Sequence, residues 1–213
     1  MNIRTLIRVW FVALTAAGMI SSLQAESIVY KATSGGKMTI KGTSTVHDWE
    51  VSSGIIGGTM EISSDFPLGE VDGTPAISPN QKVKVAIPVR SLKSGKKRMD
   101  EVMHKAMKHP KETKIAYELT KISVSKDPRK EGEPVKYDTE GKLTVAGVTK
   151  PVKFPVTIQT SDGSTLMVTG ATTVKMTDHG IDPPAPKVAL GLIKTGDELD
   201  LSWKWFLKRT VKK

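Results

Sequence analysis

From residue 26 onward the apolar residues of this chain recur at every second position, and few folds accept that pattern. Met38 and Ile40 alternate with polar neighbours, as do Val83, Val85, Ile87 and Val89, and then Ile115, Tyr117 and Leu119. Val188, Leu190 and Leu192 repeat it, followed by Leu199, Leu201, Trp203, Trp205 and Leu207. Successive side chains of a strand point to opposite faces, so each run reads as a strand with one buried and one wet face. Clusters of Gly, Pro, Asn and Asp separate the runs, which gives about nine or ten antiparallel strands in a sandwich or a barrel. Ile122 and Val124 continue the third run out of phase, which predicts a bulge near Thr120-Lys121.

The segment Gly141-Lys-Leu-Thr-Val-Ala-Gly-Val-Thr-Lys-Pro-Val152 reads as two strands joined tightly at Ala146-Gly147. Leu143 and Val145 are expected on one face, and Val152, Phe154, Val156 and Ile158 on another. Gly147 falls where a turn or bulge demands an unusual backbone angle. One stretch leaves the period of two. Met99, Val102, Met103, Ala106 and Met107 fall at helical spacing, with Asp100 and Glu101 in the first turn and Pro110 at the end. This predicts one short amphipathic helix, of a kind that plugs or caps a barrel end. Lys93 to Arg98, just before it, is the densest basic run after residue 25. Ser63 to Asn80 and Lys126 to Pro134 read as exposed loops, and Asp182 to Pro186 as a rigid connection.

Met1 to Arg8 carries two arginines and no acid, and an apolar run from Val9 to Ile20 precedes small residues ending at Ala25. That is the order of a secretory leader, so residues 1–25 are expected to be cleaved and 26–213 to form one exported domain. The periplasm is the expected destination, with the extracellular space as the alternative. The absence of cysteine excludes disulfides, thiol catalysis and zinc-thiolate or iron–sulfur sites. The formal charge is +10, and loss of Arg4 and Arg8 with the leader lowers it by two. Such a surplus suits a solvated surface or transient contact with an anionic membrane. Nucleic acid is not an expected partner, because aromatic residues for base stacking are scarce and the chain carries an export signal.

No phosphate-cradling glycine loop, His-Glu-x-x-His helix or Gly-x-Ser-x-Gly elbow is present, so no enzyme is expected. Ser44, His47 and Asp48 include the residue types of a hydrolytic triad, but a strand sends Ser44 and His47 to opposite faces. His104 and His109 flank Met103 and Met107, with Met176 and His179 downstream. Such residues would suit cuprous ion. Met99, Met103 and Met107 nevertheless form the apolar stripe of the helix and read as packing, so no metal is expected. His47 and Trp49 fall on one face of the same predicted strand, either as a packed core pair or as the lining of a ligand cavity.

Several of these residues occur in an order that resembles the YceI-like family. Thr43-Ser-Thr-Val-His47 followed by Trp49 is similar to the family's first-hairpin signature. Val89-Arg-Ser-Leu92, Gly95 and Arg98-Met-Asp100 are similar to its strand, basic turn and helix, and Lys108-His-Pro110 to its helix exit. Gly141-Lys-Leu143 with Ala146-Gly-Val-Thr-Lys-Pro-Val152 matches its most specific element. The helix exit lacks the family's phenylalanines, and Lys175 stands in Val174 to Ile181 where an arginine is usual. The resemblance implies a lipocalin-like antiparallel β-barrel of about eight to ten strands with a helix at its mouth. It implies an interior holding a polyisoprenoid, a quinone or another long-chain amphiphile. His47, Trp49, Val85, Ile87, Met99, Met103, Met107 and Phe154 would line that interior, and Lys96, Lys97 and Arg98 would meet the headgroup at the rim. The alternatives are a structural or stress-response barrel filled by Trp203, Trp205, Phe154 and the methionines, or a copper accessory protein. A monomer and a homodimer are equally compatible with these residues.

Overall fold

The computed structural model describes residues 26–68, 76–126, 134–160, 162–185 and 193–210. The leader at 1–25 and the Val188–Leu192 repeat lie outside the described residues, as do the middles of the two long loops. Ten strands and one α-helix follow in order: β1 (Ser27–Ala32), β2 (Lys37–Ser44), β3 (Trp49–Ser53), β4 (Gly57–Ser63), β5 (Lys82–Pro88), α1 (Lys97–Ala106), β6 (Lys114–Val124), β7 (Lys136–Val145), β8 (Val148–Thr160), β9 (Thr165–Lys175) and β10 (Thr195–Arg209).

All pairings between strands are antiparallel, in the order β1-β4-β5-β6-β7-β8-β9-β10-β2-β3, and β1 also pairs with β10. That last pairing closes eight strands into a barrel and leaves β2 and β3 as an added flap. One edge of β10 is shared along its length: Thr195 to Lys204 pair with β2, and Leu207 to Arg209 pair with β1. The free edge of β3 is met by the chain after β5, where Ser52 and Lys93 exchange two backbone hydrogen bonds of 2.9 Å. This bridge brings the start of α1 against the flap.

The expected hairpin is present, with Val145 opposite Val148 across a two-residue turn. Ala146 and Gly147 have φ of 50° and 82°, the double positive φ of a type I′ turn. The face assignment needs correction, because Gly141 pairs with Val152 and Thr139 with Phe154. Paired residues share a face, so Leu143, Val152 and Phe154 all point inward. The bulge falls where expected: Leu119 opposes Gly141 and Lys121 opposes Glu140, leaving Thr120 over to donate to the Glu140 carbonyl at 3.0 Å.

At the end of the barrel where β1 meets β10, Tyr30, Ile62, Leu166 and Leu207 are almost completely buried. The Tyr30 hydroxyl is satisfied by the Gly163 carbonyl at 2.7 Å. Leu207 is the residue of β10 that both pairs with β1 and fills this base. Leu207→Ala should therefore lower unfolding stability by about 2–5 kcal/mol, the usual cost of such a truncation, read as an earlier urea midpoint.

Candidate functional site

The interior is not filled along its whole length. An upper cavity of about 410 Å³ lies beneath α1, and a deeper one of about 120 Å³ lies further down the barrel. Four buried residues, Met38, Ile115, Leu143 and Leu201, line both and form a neck between them. β10 runs along this axis from mouth to base. Thr195 and Leu199 line the upper chamber, Leu201 the neck, Trp203 and Trp205 the lower chamber, and Leu207 the packed base. The ten residue steps of strand from Thr195 to Trp205 cover roughly 30 Å.

Polar groups gather at the mouth, where Ser44, His47, Lys96, Arg98, Lys175 and His179 line the upper chamber. Lys97 is exposed and does not line it. Met99, Met103 and Met107 project from α1 into the upper chamber, whereas Val85, Ile87 and Phe154 line the lower one. The residues expected to share one site are thus divided between two chambers that have four wall residues in common.

His47 and Trp49 do line the upper chamber, but not as neighbours on one strand. The chain turns between β2 and β3, because the Ser44 hydroxyl accepts the amides of Val46 and His47 at 3.3 and 3.2 Å and donates to the His47 carbonyl at 2.7 Å. A side chain that satisfies nearby backbone groups in this way competes with strand continuation. His47 is left exposed at the rim, its Nδ1–H donating to the Asp48 carbonyl at 2.8 Å. Trp49 opens β3, and its indole N–H donates to the Thr43 carbonyl at 3.1 Å.

Asp100 holds the helix in place. It is only 7% exposed, accepts the Ser94 amide and hydroxyl at 2.7 Å each, and lies 3.6 Å from Lys93. Burial works against its charge, but Ser94 and Lys93 together outweigh it and hold the carboxyl below the usual carboxylate range. His104 donates its Nε2–H to the Leu92 carbonyl at 3.1 Å. Past the helix, Lys108 donates to the Ala146 carbonyl at 3.1 Å, tying the helix exit to the β7–β8 turn.

In the sequence His179 reads only as a remote metal candidate. It is 3% exposed, lines the upper chamber, and donates Nδ1–H to the Val148 carbonyl at 3.1 Å. The neck residues Met38, Ile115, Leu143 and Leu201 were legible only as strand residues, since their meeting depends on register. Among the described residues no group of three or more His, Asp or Glu side chains is arranged to hold a metal ion. The Tyr117 hydroxyl, in the wall of the lower chamber, is buried and makes no hydrogen bond of ordinary geometry among the described residues. Burial pushes its phenol up, with the Thr139 side chain opposing part of that shift.

A closed antiparallel barrel with an apolar lumen opening beneath one helix defines a lipocalin-like barrel. The YceI-like domain model matches residues 54–205, and the chain belongs to the YceI-like family. Two solved structures share the fold. Burkholderia cenocepacia BcnA is 16% identical with a TM-score of 0.57, over 80% of this chain and 95% of that one. A polyisoprenoid binding domain from Saccharophagus degradans, implicated in plant cell wall breakdown, is 11% identical with a TM-score of 0.60, over 85% of this chain and 98% of that one. Comparison with curated proteins finds no match.

Three outcomes follow from these contacts. Asp100→Ala should cost about 1–3 kcal/mol by stranding the Ser94 groups it satisfies. Because the folded-state pKa lies below the ordinary ~3.9, the ionised carboxylate's contribution is complete above that value and lost as pH falls through the depressed one. Urea titrations of the wild type and Asp100→Asn at successive acidic pH values should converge over that window. Tyr117→Phe removes a buried unpaired hydroxyl, so its thermal midpoint should equal or exceed that of the wild type.

Proposed function

We propose that the protein is a non-enzymatic carrier that binds one long-chain amphiphilic lipid of the polyisoprenoid class inside its barrel. The observation that carries this reading is the distribution of polarity along the lumen: ionisable groups at the mouth, a neck of four apolar residues, and an apolar, aromatic lower chamber. Burying hydrocarbon there is favourable by roughly 25 cal/mol per Å² of apolar surface removed from water. The head stays at the rim, where Lys96, Arg98 and His47 offer cations and donors to a phosphate, hydroxyl or quinone oxygen. The ligand named for the Saccharophagus degradans domain agrees with this choice.

A core filled by side chains is the competing reading, and the two chambers speak against it, because Trp203, Trp205 and Phe154 line the lower one instead of occupying it. The leader-like first 25 residues support export, with the mature chain beginning at Glu26. Mass measurement of protein recovered from the periplasm of its own host tests that boundary.

Native mass spectrometry and organic extraction of that same protein should find a stoichiometric single-tailed lipid. Protein that never carries lipid and binds none offered would overturn the proposal. Met103→Glu places a carboxylate against the tail in the upper chamber and should abolish lipid binding while leaving the circular dichroism spectrum intact. Lys96→Glu combined with Arg98→Glu should weaken an anionic-headed ligand by about tenfold, or ~1.4 kcal/mol, and an uncharged prenol far less.

A further inference from the structure

Across five adjacent strands, β6 to β10, aromatic residues and glycines alternate on the inner face: Tyr117, Gly141, Phe154, Gly170 and Trp203. No single strand shows this alternation, and no sequence motif announces it. A methyl group built on Gly141 would lie 2.3 Å from the Tyr117 ring, and one on Gly170 would lie 2.3 Å from the Trp203 indole. Carbon atoms do not approach so closely, so each ring occupies the volume that a side chain on the glycine would need. Gly170 and Trp203 are direct cross-strand partners. Phe154 completes the row, 5.2 Å from Tyr117 and 5.0 Å edge-on from Trp203 between ring centroids.

The seats direct the rings along the wall, where they would otherwise reach across the lumen. All three rings line the lower chamber. The Tyr117 ring lies against Gly141 in the wall of the same chamber. The chamber ends at Ile158 and at Trp205, whose indole N–H is fixed to the Ile56 carbonyl at 3.1 Å. Above it stands the four-residue neck. Its volume of about 120 Å³ is small beside the 410 Å³ of the upper chamber.

We propose that this aromatic–glycine belt is the length gauge of the lumen: it admits the end of a single hydrocarbon tail, sets how long that tail can be, and rejects two-tailed lipids. The proposal rests on the lipid reading above and adds to it which residues discriminate among ligands. Gly170 and Trp203 set the depth, and Phe154 and Tyr117 set the width. Gly42, which seats Trp49 in the upper chamber in the same way, governs binding but not length.

The test uses the full mature chain, delipidated, and displacement of a fluorescent fatty-acid probe by geraniol, farnesol, geranylgeraniol and solanesol, with dioleoyl phosphatidylglycerol as the two-tailed competitor. Wild type should show an optimum length and little displacement by the phospholipid. Gly170→Ala drives the indole into the chamber and should move the optimum to a shorter prenol, with at least a tenfold loss for the longest prenol that wild type binds. Trp203→Leu opens the chamber and should move the optimum to a longer one. It also carries the test if Gly170→Ala does not fold, as judged by thermal melting. Gly42→Ala should weaken all lengths alike. An unchanged optimum in the folded variants, or phospholipid competing as well as the best prenol, overturns the gauge while leaving lipid binding standing. A wild type that binds neither probe nor any prenol overturns the lipid reading and the gauge with it.

Discussion

The divided edge of β10 is the constraint on which the rest of this structure depends. A strand that gives its first part to β2 and its last residues to β1 lets one sheet have two circumferences. Toward the base, β1 closes eight strands tightly enough for Tyr30, Ile62, Leu166 and Leu207 to fill the space. Toward the mouth, the flap of β2 and β3 and the chain around Lys93 take the place of β1. Barrel diameter grows with the number of strands in the wall, and the volumes follow in order: packed base, narrow chamber, wide chamber. A uniform eight-stranded closure would have given side chains room to fill the whole interior.

The wide end needs a cover that does not collapse into it. The apolar stripe of α1 faces the cavity, so little of the packing that normally fixes an amphipathic helix is available. Polar contacts at its ends substitute for it. Asp100 binds Ser94 and Lys93 near the start, His104 reaches the Leu92 carbonyl, and Lys108 reaches the Ala146 carbonyl after the last turn. The Ala146-Gly147 turn thus has two roles. Its positive φ values close the β7–β8 hairpin, and the Ala146 carbonyl anchors the helix exit. A cover held by polar contacts at its ends can stand over an apolar space whatever that space contains.

What the sequence discloses here is set by how local each feature is. The alternation, the bulge at Thr120, the hairpin at Gly147 and the helix over Met99 to Met107 are each written within about a dozen residues, and each is where the local pattern puts it. The Ser44 to Trp49 turn was hidden because Thr, Val and Trp favour strands. The decisive contacts there, from one serine hydroxyl to two amides, leave no trace in hydrophobic periodicity. Closure by β10, the neck and the aromatic belt were illegible for a different reason. They join residues of distant strands, and a one-residue change of register would dissolve all three. Gly170 and Trp203 are unremarkable in the sequence and become a pair only because Ser202 opposes Ala171.

The two chambers differ in stiffness as well as in size, and that difference bears on what can be selected. Met99, Met103, Met107 and Met176 line the upper one, and an unbranched thioether with three rotatable bonds adapts to many shapes at low cost. One wall of the lower chamber is made of rings with two torsions each, Tyr117 and Trp203 seated on glycines and Phe154 edge-on to Trp203. An adaptable chamber binds without discriminating strongly, whereas a rigid one penalises every misfit with overlap or with lost contact. On the proposed lipid reading, discrimination would then fall on the far end of the tail, distant from the ionisable rim. A headgroup at the mouth can vary as long as the chain beneath it ends where the belt allows.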